Sequence, residues 1–244
     1  MLVFHMKEIY LKEIDSTNKY LKEHHQELDD MTFVYTFNQT DGRGRLNRKW
    51  NNTGNDNIYA SIILKPSEKM EEVYSNLTQY LCVVLAEIME EYGVEPKIKW
   101  PNDIKVNNKK ISGILAETVM SSGILDGIVL GFGVNLNTSR ETLDNIDQPA
   151  TSLNIEAGMK IDKNQFLEKV YNRFCLLYDK FIEAGFPLIK EEYEKRANFL
   201  NQKVTVKVFD KTVEGLATEI TENGALKIVD NNNKEQILLI GDIL

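Results

Sequence analysis

The sequence is poor in cysteine, histidine and arginine, and each shortage excludes a class of protein. Only two cysteines and three histidines occur among 244 residues, and they combine at no metal-ligand spacing. The sequence therefore predicts neither a disulfide framework nor a zinc site. Cys82 and Cys175 each lie within an apolar helical pattern, and we expect both to be small buried thiols.

Long apolar runs are also lacking. The longest uncharged apolar stretches, near 80–86 and 127–136, are well short of the ~20 residues that span a bilayer. Charged residues at positions 7, 8, 12 and 13 interrupt the apolar start, so no signal peptide is predicted. We expect a cytoplasmic protein with no membrane partner.

Positive charge is in deficit, since the formal net charge is −8. A general nucleic-acid binder usually has the opposite balance, so DNA is not an expected partner and any anion site must be local. Hydrophobic residues at 42% and charged residues at 27% are ordinary for a globular protein. The length suits one large domain, or a catalytic domain of roughly 200 residues with a small appendage.

The pattern of polar and apolar residues changes at about residue 198. Up to about residue 198, period-two runs alternate with amphipathic helical patterns, including one that begins at the polar residues 15–18 and one capped by Asp162. Beyond it, four short strand-like runs (203–209, 212–220, 225–230 and 235–240) are separated by turn residues. We predict an α+β protein in which a mixed-sheet catalytic domain (1–198) precedes a small all-β barrel (199–244).

The first functional motif is Q-T-D-G-R-G-R-L-N-R-K-W at 39–50, which holds Arg43, Arg45 and Arg48, three of only six arginines. Glycines between arginines let the backbone curl around a ligand, and guanidinium groups suit carboxylates and phosphates. A solvated basic turn is the alternative. The segment is not a Walker loop, because G-x-x-x-x-G-K-[ST] is absent.

Three further motifs follow. K-W-P-N-D at 99–103 places Asn102 and Asp103 after a strand, where they can hold a ribose or a metal-bound water, or only pack a corner. K-I-S-G at 110–113 combines Lys110 with a glycine inside a strand, which indicates close approach by a ligand, although such a lysine is often solvated. G-F-G-V-N at 131–135 repeats small residues and ends at Asn135, and packing alone is the alternative.

Together with Ser16-Thr17-Asn18, these motifs resemble the biotin–protein ligase family, in that family's order, over about residues 9–155. The C-terminal stretch resembles the family's SH3-like barrel. The resemblance implies a class II synthetase-like mixed sheet and a reaction of biotin with Mg·ATP. Biotin is activated as its adenylate and then transferred to a lysine of a biotin carboxyl carrier domain of a biotin-dependent carboxylase.

The resemblance also implies roles for residues. The predicted biotin-binding set is Ser16, Thr17, Asn18, Gln39, Gly42, Arg43, Gly44, Arg45, Lys110 and Gly113. The predicted nucleotide-binding set is Arg45, Arg48, Trp50, Asn102, Asp103, Lys110 and Asn135. Lys110 and Arg45 are the expected catalytic residues, with Lys110 an electrostatic stabiliser; ATP and Mg²⁺ are the expected cofactors, with metal ligands left open.

Two departures from the family pattern bear on function. Many relatives carry an N-terminal helix-turn-helix domain, whereas this sequence starts at the first catalytic strand, so we expect the short form without operon repression. Asp41 is an acidic residue within the ligand loop, and we expect it to point outward. The rival functions are a lipoate–protein ligase of the same fold and a non-catalytic nucleic-acid-binding module. A homodimer is possible.

Overall fold

The computed structural model describes residues 7–67 and 70–244, so the first six residues of the predicted catalytic domain lie outside the described range. The chain forms a seven-stranded mixed sheet, a short two-stranded hairpin and a five-stranded antiparallel sheet. The described part contains no helix that is both long and apolar enough to cross a membrane.

The strands are β1 (Glu8–Tyr10), β2 (Phe33–Thr36), β3 (Gly42–Arg43), β4 (Lys49–Trp50), β5 (Ile58–Leu64), β6 (Lys97–Lys99), β7 (Asp103–Val106), β8 (Lys109–Ser121), β9 (Ile124–Val134), β10 (Lys203–Val208), β11 (Lys211–Ile220), β12 (Leu226–Val229), β13 (Glu235–Leu238) and β14 (Asp242–Ile243). The helices are α1 (Thr17–His24), α2 (Met70–Val73), α3 (Leu77–Glu90), α4 (Arg140–Leu143), α5 (Leu153–Ala157), α6 (Lys163–Ala184) and α7 (Lys190–Arg196).

Helix ends follow the capping residues in the sequence. The Ser16 hydroxyl accepts a hydrogen bond from the Lys19 amide at the start of α1, and the Asp162 carboxylate accepts one from Gln165 at the start of α6. These bonds satisfy amide groups that a first helical turn leaves without partners. The cap of α1 also fixes where residues 17 and 18 lie, which matters for the site.

The large sheet has the strand order β1-β2-β5-β9-β8-β7-β6, with β1 parallel to β2 and the other pairs antiparallel. Its register aligns small and polar residues in two rows across three neighbouring strands. Tyr59, Gly133 and Gly113 form one row. In the next row, Ser61 pairs with Gly131 and Gly131 pairs with Leu115.

The two faces of this sheet are covered differently. One face packs against α3 and α6 in the main core, where Ile62, Leu81 and Phe174 are fully buried. The other face carries a small second cluster around Leu21 of α1 and Val129 of β9. The first turn of α1 lies over the row that contains Gly131, and Trp50 lies over the row that contains Gly113 and Gly133. These three glycines also line the smaller of the two cavities on this face.

The C-terminal sheet has the strand order β13-β12-β11-β10-β14. Its first four strands lie where the turn residues predicted them. The sequence did not indicate β14, because two residues are too short to show a period-two pattern. Ile243 on β14 and Val206 on β10 belong to the same buried cluster as the main core, so the sheet packs directly on the catalytic domain.

Candidate active site

Two adjoining cavities lie on the face of the large sheet that carries α1. The smaller, of about 360 Å³ including the solvent at its mouth, is lined by polar side chains at the start of α1 and by Gln39. The larger, of about 790 Å³ on the same measure, is lined by the arginine hairpin, the 99–103 corner and β8. Arg43, Trp50, Gly113 and Leu115 line both, so the cavities meet at these residues.

The indole ring of Trp50 lies between the two cavities, and two glycines make room for it. A Cβ atom on Gly113 would come within 2.9 Å of the indole Cζ3, and one on Gly133 within 2.8 Å of Cε2. Such separations are too short for any real Cβ, so the indole packs directly on the strand backbones. Gly113 of the K-I-S-G motif and Gly133 of the G-F-G-V-N motif therefore allow close approach by this side chain, while close approach by a ligand stays a prediction.

A hydrogen-bonded network fixes the polar end of the smaller cavity. The Gln39 Oε1 atom accepts from the backbone N–H of Thr17 at 2.9 Å. Ser61 Oγ donates to Asn18 Oδ1 at 2.6 Å, and Asn18 Nδ2 donates to Glu117 Oε2 at 2.8 Å. Asn18 is 6% exposed, so its amide is fixed on both sides before any ligand arrives.

The arginine motif folds as a tight hairpin in which β3 pairs with β4. Gly42 lies opposite Trp50, and the Gly44 amide donates to the Arg48 carbonyl at 2.7 Å. A short 3-10 turn, Arg45–Asn47, closes the hairpin and contains Leu46 in the left-handed region at φ 54°. Gly42 lines neither cavity; a Cβ there would meet Gln39 and Trp50 at about 2.9 Å, so this glycine serves loop packing.

The three arginines of the hairpin occupy distinct positions. Arg45 is the most buried, with a side chain 24% exposed, and its Nη1 donates to Asn102 Oδ1 at 3.0 Å. Arg43 and Arg48 are more than half exposed but still line the larger cavity. Asp41 lies outside both cavities, with its carboxylate 3.6 Å from Arg43 Nη2, as expected for an outward-pointing residue.

Lys110 lies in the wall of the larger cavity. Its Nζ is 2.8 Å from Asp103 Oδ1 and 5.4 Å from the centre of the Trp50 ring, and the side chain is 18% exposed. The solvated alternative for this lysine is therefore wrong. Asn102 is anchored by a bond to the Ile114 carbonyl at 2.6 Å, and Asn135 by one to Thr151 at 3.1 Å.

Burial and ion pairing shift two titrations at the margin of the site. Burial lowers the pKa of the Lys99 ammonium, a shift that the nearby Asp103 carboxylate opposes. A hydrogen bond from Lys19 lowers the pKa of the Asp15 carboxyl group, which precedes the cap of α1. The described residues contain no group of three or more histidine, cysteine, aspartate or glutamate side chains that could hold a metal.

The structure brings every predicted site residue except Gly42 to the wall of a cavity, while the ligand that each contacts stays a prediction. It also adds wall or supporting residues that the sequence did not indicate, namely Tyr59, Ser61, Leu115, Glu117 and Asp242. Ser61 had one usable signal, because it is the one serine in the otherwise apolar and aromatic run Ile58–Leu64. Asp242 had none.

Comparisons with known proteins agree with the geometry. Residues 10–135 match the model of the biotin/lipoate A/B protein ligase family, and residues 199–244 match that of the biotin protein ligase C-terminal domain. The biotin protein ligase from Aquifex aeolicus, solved with biotin and ATP, superimposes with a TM-score of 0.84 at 30% identity, covering 98% of this chain and 97% of that one.

Two curated relatives are longer proteins. The bifunctional ligase/repressor BirA of Bacillus subtilis (strain 168) is 31% identical over 208 residues, covering 84% of this chain and 64% of the relative. The protein of the same name from Escherichia coli (strain K12) is 30% identical over 214 residues, covering 87% and 66%. The matched region thus spans slightly less than two thirds of either relative. By its sequence and its fold, the chain belongs to the biotin/lipoate A/B protein ligase family.

Proposed function

We propose that this chain is a biotin–protein ligase, which adenylates biotin with ATP and transfers it to a lysine of a carrier protein. One observation carries the proposal: a cavity whose polar end consists of neutral hydrogen-bonding groups adjoins, at Trp50, a cavity lined by arginines and lysines. This arrangement suits a small acid with an uncharged polar head, whose carboxylate must meet a nucleotide phosphate.

The smaller cavity fits the ureido head of biotin. A ureido group is uncharged and presents two N–H donors beside a carbonyl acceptor, so it needs paired partners rather than an ion. Ser16, Thr17, Asn18 and Gln39 supply such groups, and Asn18 is already oriented by Ser61 and Glu117. The aliphatic tail would then lie along Leu115 and the glycine rows towards the larger cavity.

The larger cavity fits Mg·ATP and the first chemical step. An oxygen of the biotin carboxylate attacks the α-phosphorus, and the bond to the β-phosphate oxygen breaks, so that pyrophosphate leaves. Two anions must approach, and fixed cations in a largely buried site lower that barrier. Lys110, held by Asp103, and Arg45, held by Asn102, would supply these cations.

Magnesium would enter as part of its nucleotide complex. Mg²⁺ commonly keeps several waters and is bound by one or two carboxylates together with substrate phosphates. Asp103 and Asp242 are the carboxylates that line the larger cavity in the described part of the chain. This donor set suits a metal delivered with ATP, with the phosphates supplying the remaining ligands.

The second step supplies the product. The neutral amine of a carrier lysine attacks the acyl carbon of the adenylate, the bond to AMP breaks, and the amine loses a proton to solvent as the amide forms. The proposed acceptor is the biotin carboxyl carrier domain of a biotin-dependent carboxylase. A cytoplasmic location and a homodimer stay predictions, and the net charge of −8 still argues against DNA as a partner.

Pyrophosphate exchange tests the proposal. The purified chain should exchange labelled pyrophosphate into ATP when biotin and Mg²⁺ are present, without any carrier protein. Transfer to a carrier domain, followed by its capture on streptavidin, tests the second step. Exchange driven by lipoate and not by biotin would assign the chain to the lipoate branch of the family.

A further inference from the structure

We propose that Asp242, on the C-terminal sheet, is a positioning residue for the arginines of the nucleotide site. The inference rests on the proposed function and extends it, because it makes the C-terminal domain part of that site. Asp242 lies on β14, opposite Lys207 of β10, and is 8% exposed. It lines the larger cavity together with Arg45, Arg48 and Lys110.

The Arg45 guanidinium is held by Asp242, by the adjacent Gly241 carbonyl and by Asn102. Arg45 Nη1 donates to Asp242 Oδ1 at 2.9 Å and to Asn102 Oδ1 at 3.0 Å, while Nη2 donates to the Gly241 carbonyl at 3.1 Å. A guanidinium has five N–H donors in a fixed plane. Three are used here, and within the described residues Nε–H and one Nη2–H have no protein partner. They remain for a ligand anion.

The second oxygen of Asp242 gives independent support. Asp242 Oδ2 is buried and accepts no hydrogen bond within the described part of the chain; the Arg48 Nη1 atom lies 3.5 Å away. Leaving a buried carboxylate oxygen without a hydrogen bond costs free energy. A group that only held the fold together would be expected to satisfy both oxygens. Asp242 instead lies between two arginines of one anion site, with Arg48 more than half exposed and able to turn towards a phosphate.

The C-terminal domain has docking contacts besides those of Asp242. At a separate contact, Trp100 Nε1 and Gln79 Nε2 both donate to the Gly224 carbonyl, at 3.2 and 2.9 Å. Buried apolar residues such as Ile228 and Ile243 join the main core as well. Because these contacts also hold the domain, loss of the Asp242 carboxylate should act mainly on Arg45 and Arg48, which it lies between.

The chain offers matched variants for the test. Asp242→Ala removes the carboxylate, whereas Asp242→Asn keeps an oxygen that can still accept from Arg45. Asp210→Asn makes the same chemical change at an exposed position of the same domain, in the turn after β10. Gln79→Ala weakens the docking contact at Gly224 without touching Arg45. All four are made in the full chain, and thermal unfolding is recorded for each.

The measurement is the dissociation constant of Mg·ATP by titration calorimetry with biotin present, together with KM for ATP and kcat in pyrophosphate exchange. Asp242→Ala should weaken ATP binding by about 10-fold, equivalent to about 1.4 kcal/mol, with kcat changed less than KM. Asp242→Asn should retain most of the affinity. Asp210→Asn should bind as wild type, and Gln79→Ala should unfold at a lower temperature with its ATP affinity unchanged.

Two results overturn the inference. One is an Asp242→Ala variant that binds Mg·ATP as wild type does. The other is a loss of affinity that Gln79→Ala reproduces, because that would assign the effect to domain docking.

In an Arg45→Lys background, Asp242→Ala should add little further loss of ATP affinity, since the effects of substitutions at contacting residues are not additive. Wild-type protein that binds Mg·ATP but shows no biotin-dependent exchange would refute the proposed function, and a weaker Mg·ATP affinity of Asp242→Ala would still support the positioning role. Wild-type protein that binds no Mg·ATP would refute both.

Discussion

Gly131 lies directly beneath the side chain of Asn18, so closely that a Cβ atom on residue 131 would come 1.9 Å from Asn18 Oδ1. The first turn of α1 therefore rests on the bare backbone of β9, and a larger residue cannot be accommodated without moving Asn18. The same amide is bonded to Ser61 and Glu117. A displacement at this position disrupts the polar end of the smaller cavity.

The Gly131→Ala variant should lose about 1–3 kcal/mol of stability, the usual cost of overpacking, and should bind biotin at least roughly 10-fold more weakly, about 1.4 kcal/mol. Denaturant unfolding and calorimetric titration with biotin measure the two effects. The double variant Gly131→Ala/Asn18→Ala is the control. It relieves the clash, so stability should partly return while biotin affinity should not. Wild-type biotin affinity in Gly131→Ala would contradict the assigned role of Asn18.

The hydroxyl of Tyr59 is buried in the wall of the smaller cavity and has no hydrogen-bond partner among the described residues. A bound ligand can supply that partner. Tyr59→Phe should leave the free energy of unfolding unchanged or raise it by up to about 1 kcal/mol, while biotin affinity falls by a few-fold.

Tyr178 provides a matched control for this change. Its hydroxyl is also buried without a partner in the described structure, but it lies in the main core away from both cavities. Tyr178→Phe should have the same small effect on stability and no effect on biotin binding. Equal biotin affinities for wild type and Tyr59→Phe would show that the ligand does not reach this hydroxyl.

Replacing Lys110 separates catalysis from stability. Lys110→Ala should raise the barrier to adenylate formation by about 2–4 kcal/mol, because one fixed cation is lost from the transition state. Stability should fall by about 1–2 kcal/mol, since Asp103 loses its partner in a mostly buried pair. Single-turnover adenylation and thermal unfolding measure the two effects, with the exposed Lys109→Ala on the same strand as control. An unchanged adenylation rate would remove Lys110 from the chemistry.

Arg45 should matter more for retaining the adenylate than for making it. Arg45→Gly removes the guanidinium and its bonds to Asn102 and Asp242, so binding of biotin and its adenylate should weaken by about 1.5–3 kcal/mol. Lys110 still neutralises the α-phosphate, and activated biotin should escape and acylate exposed lysines. When the variant is incubated with biotin, Mg·ATP and serum albumin, the albumin should become biotinylated. With wild type, biotinylation of the albumin should stay near background. A variant that makes no adenylate would place Arg45 in the first chemical step instead.

The sequence by itself determined the features that neighbouring residues encode. The cap at Ser16, the hairpin glycines around Arg45 and the strand that carries Lys110 all depend on residues within a few positions of each other. Capping, turn formation and period-two alternation act over such distances, so they can be read without knowing the fold. The division into a mixed α+β region and a C-terminal β region followed from the same local patterns.

Only the tertiary structure decided which distant groups support those residues. Arg45 and Asp242 are 197 positions apart, and Asn18 and Glu117 are 99 apart. Their contacts require the C-terminal sheet to pack on the catalytic domain and α1 to cross the large sheet. Strand register and the packing of two domains set these positions, and both depend on burial summed over the whole chain rather than on any short segment. No local pattern around residue 242 carries that information.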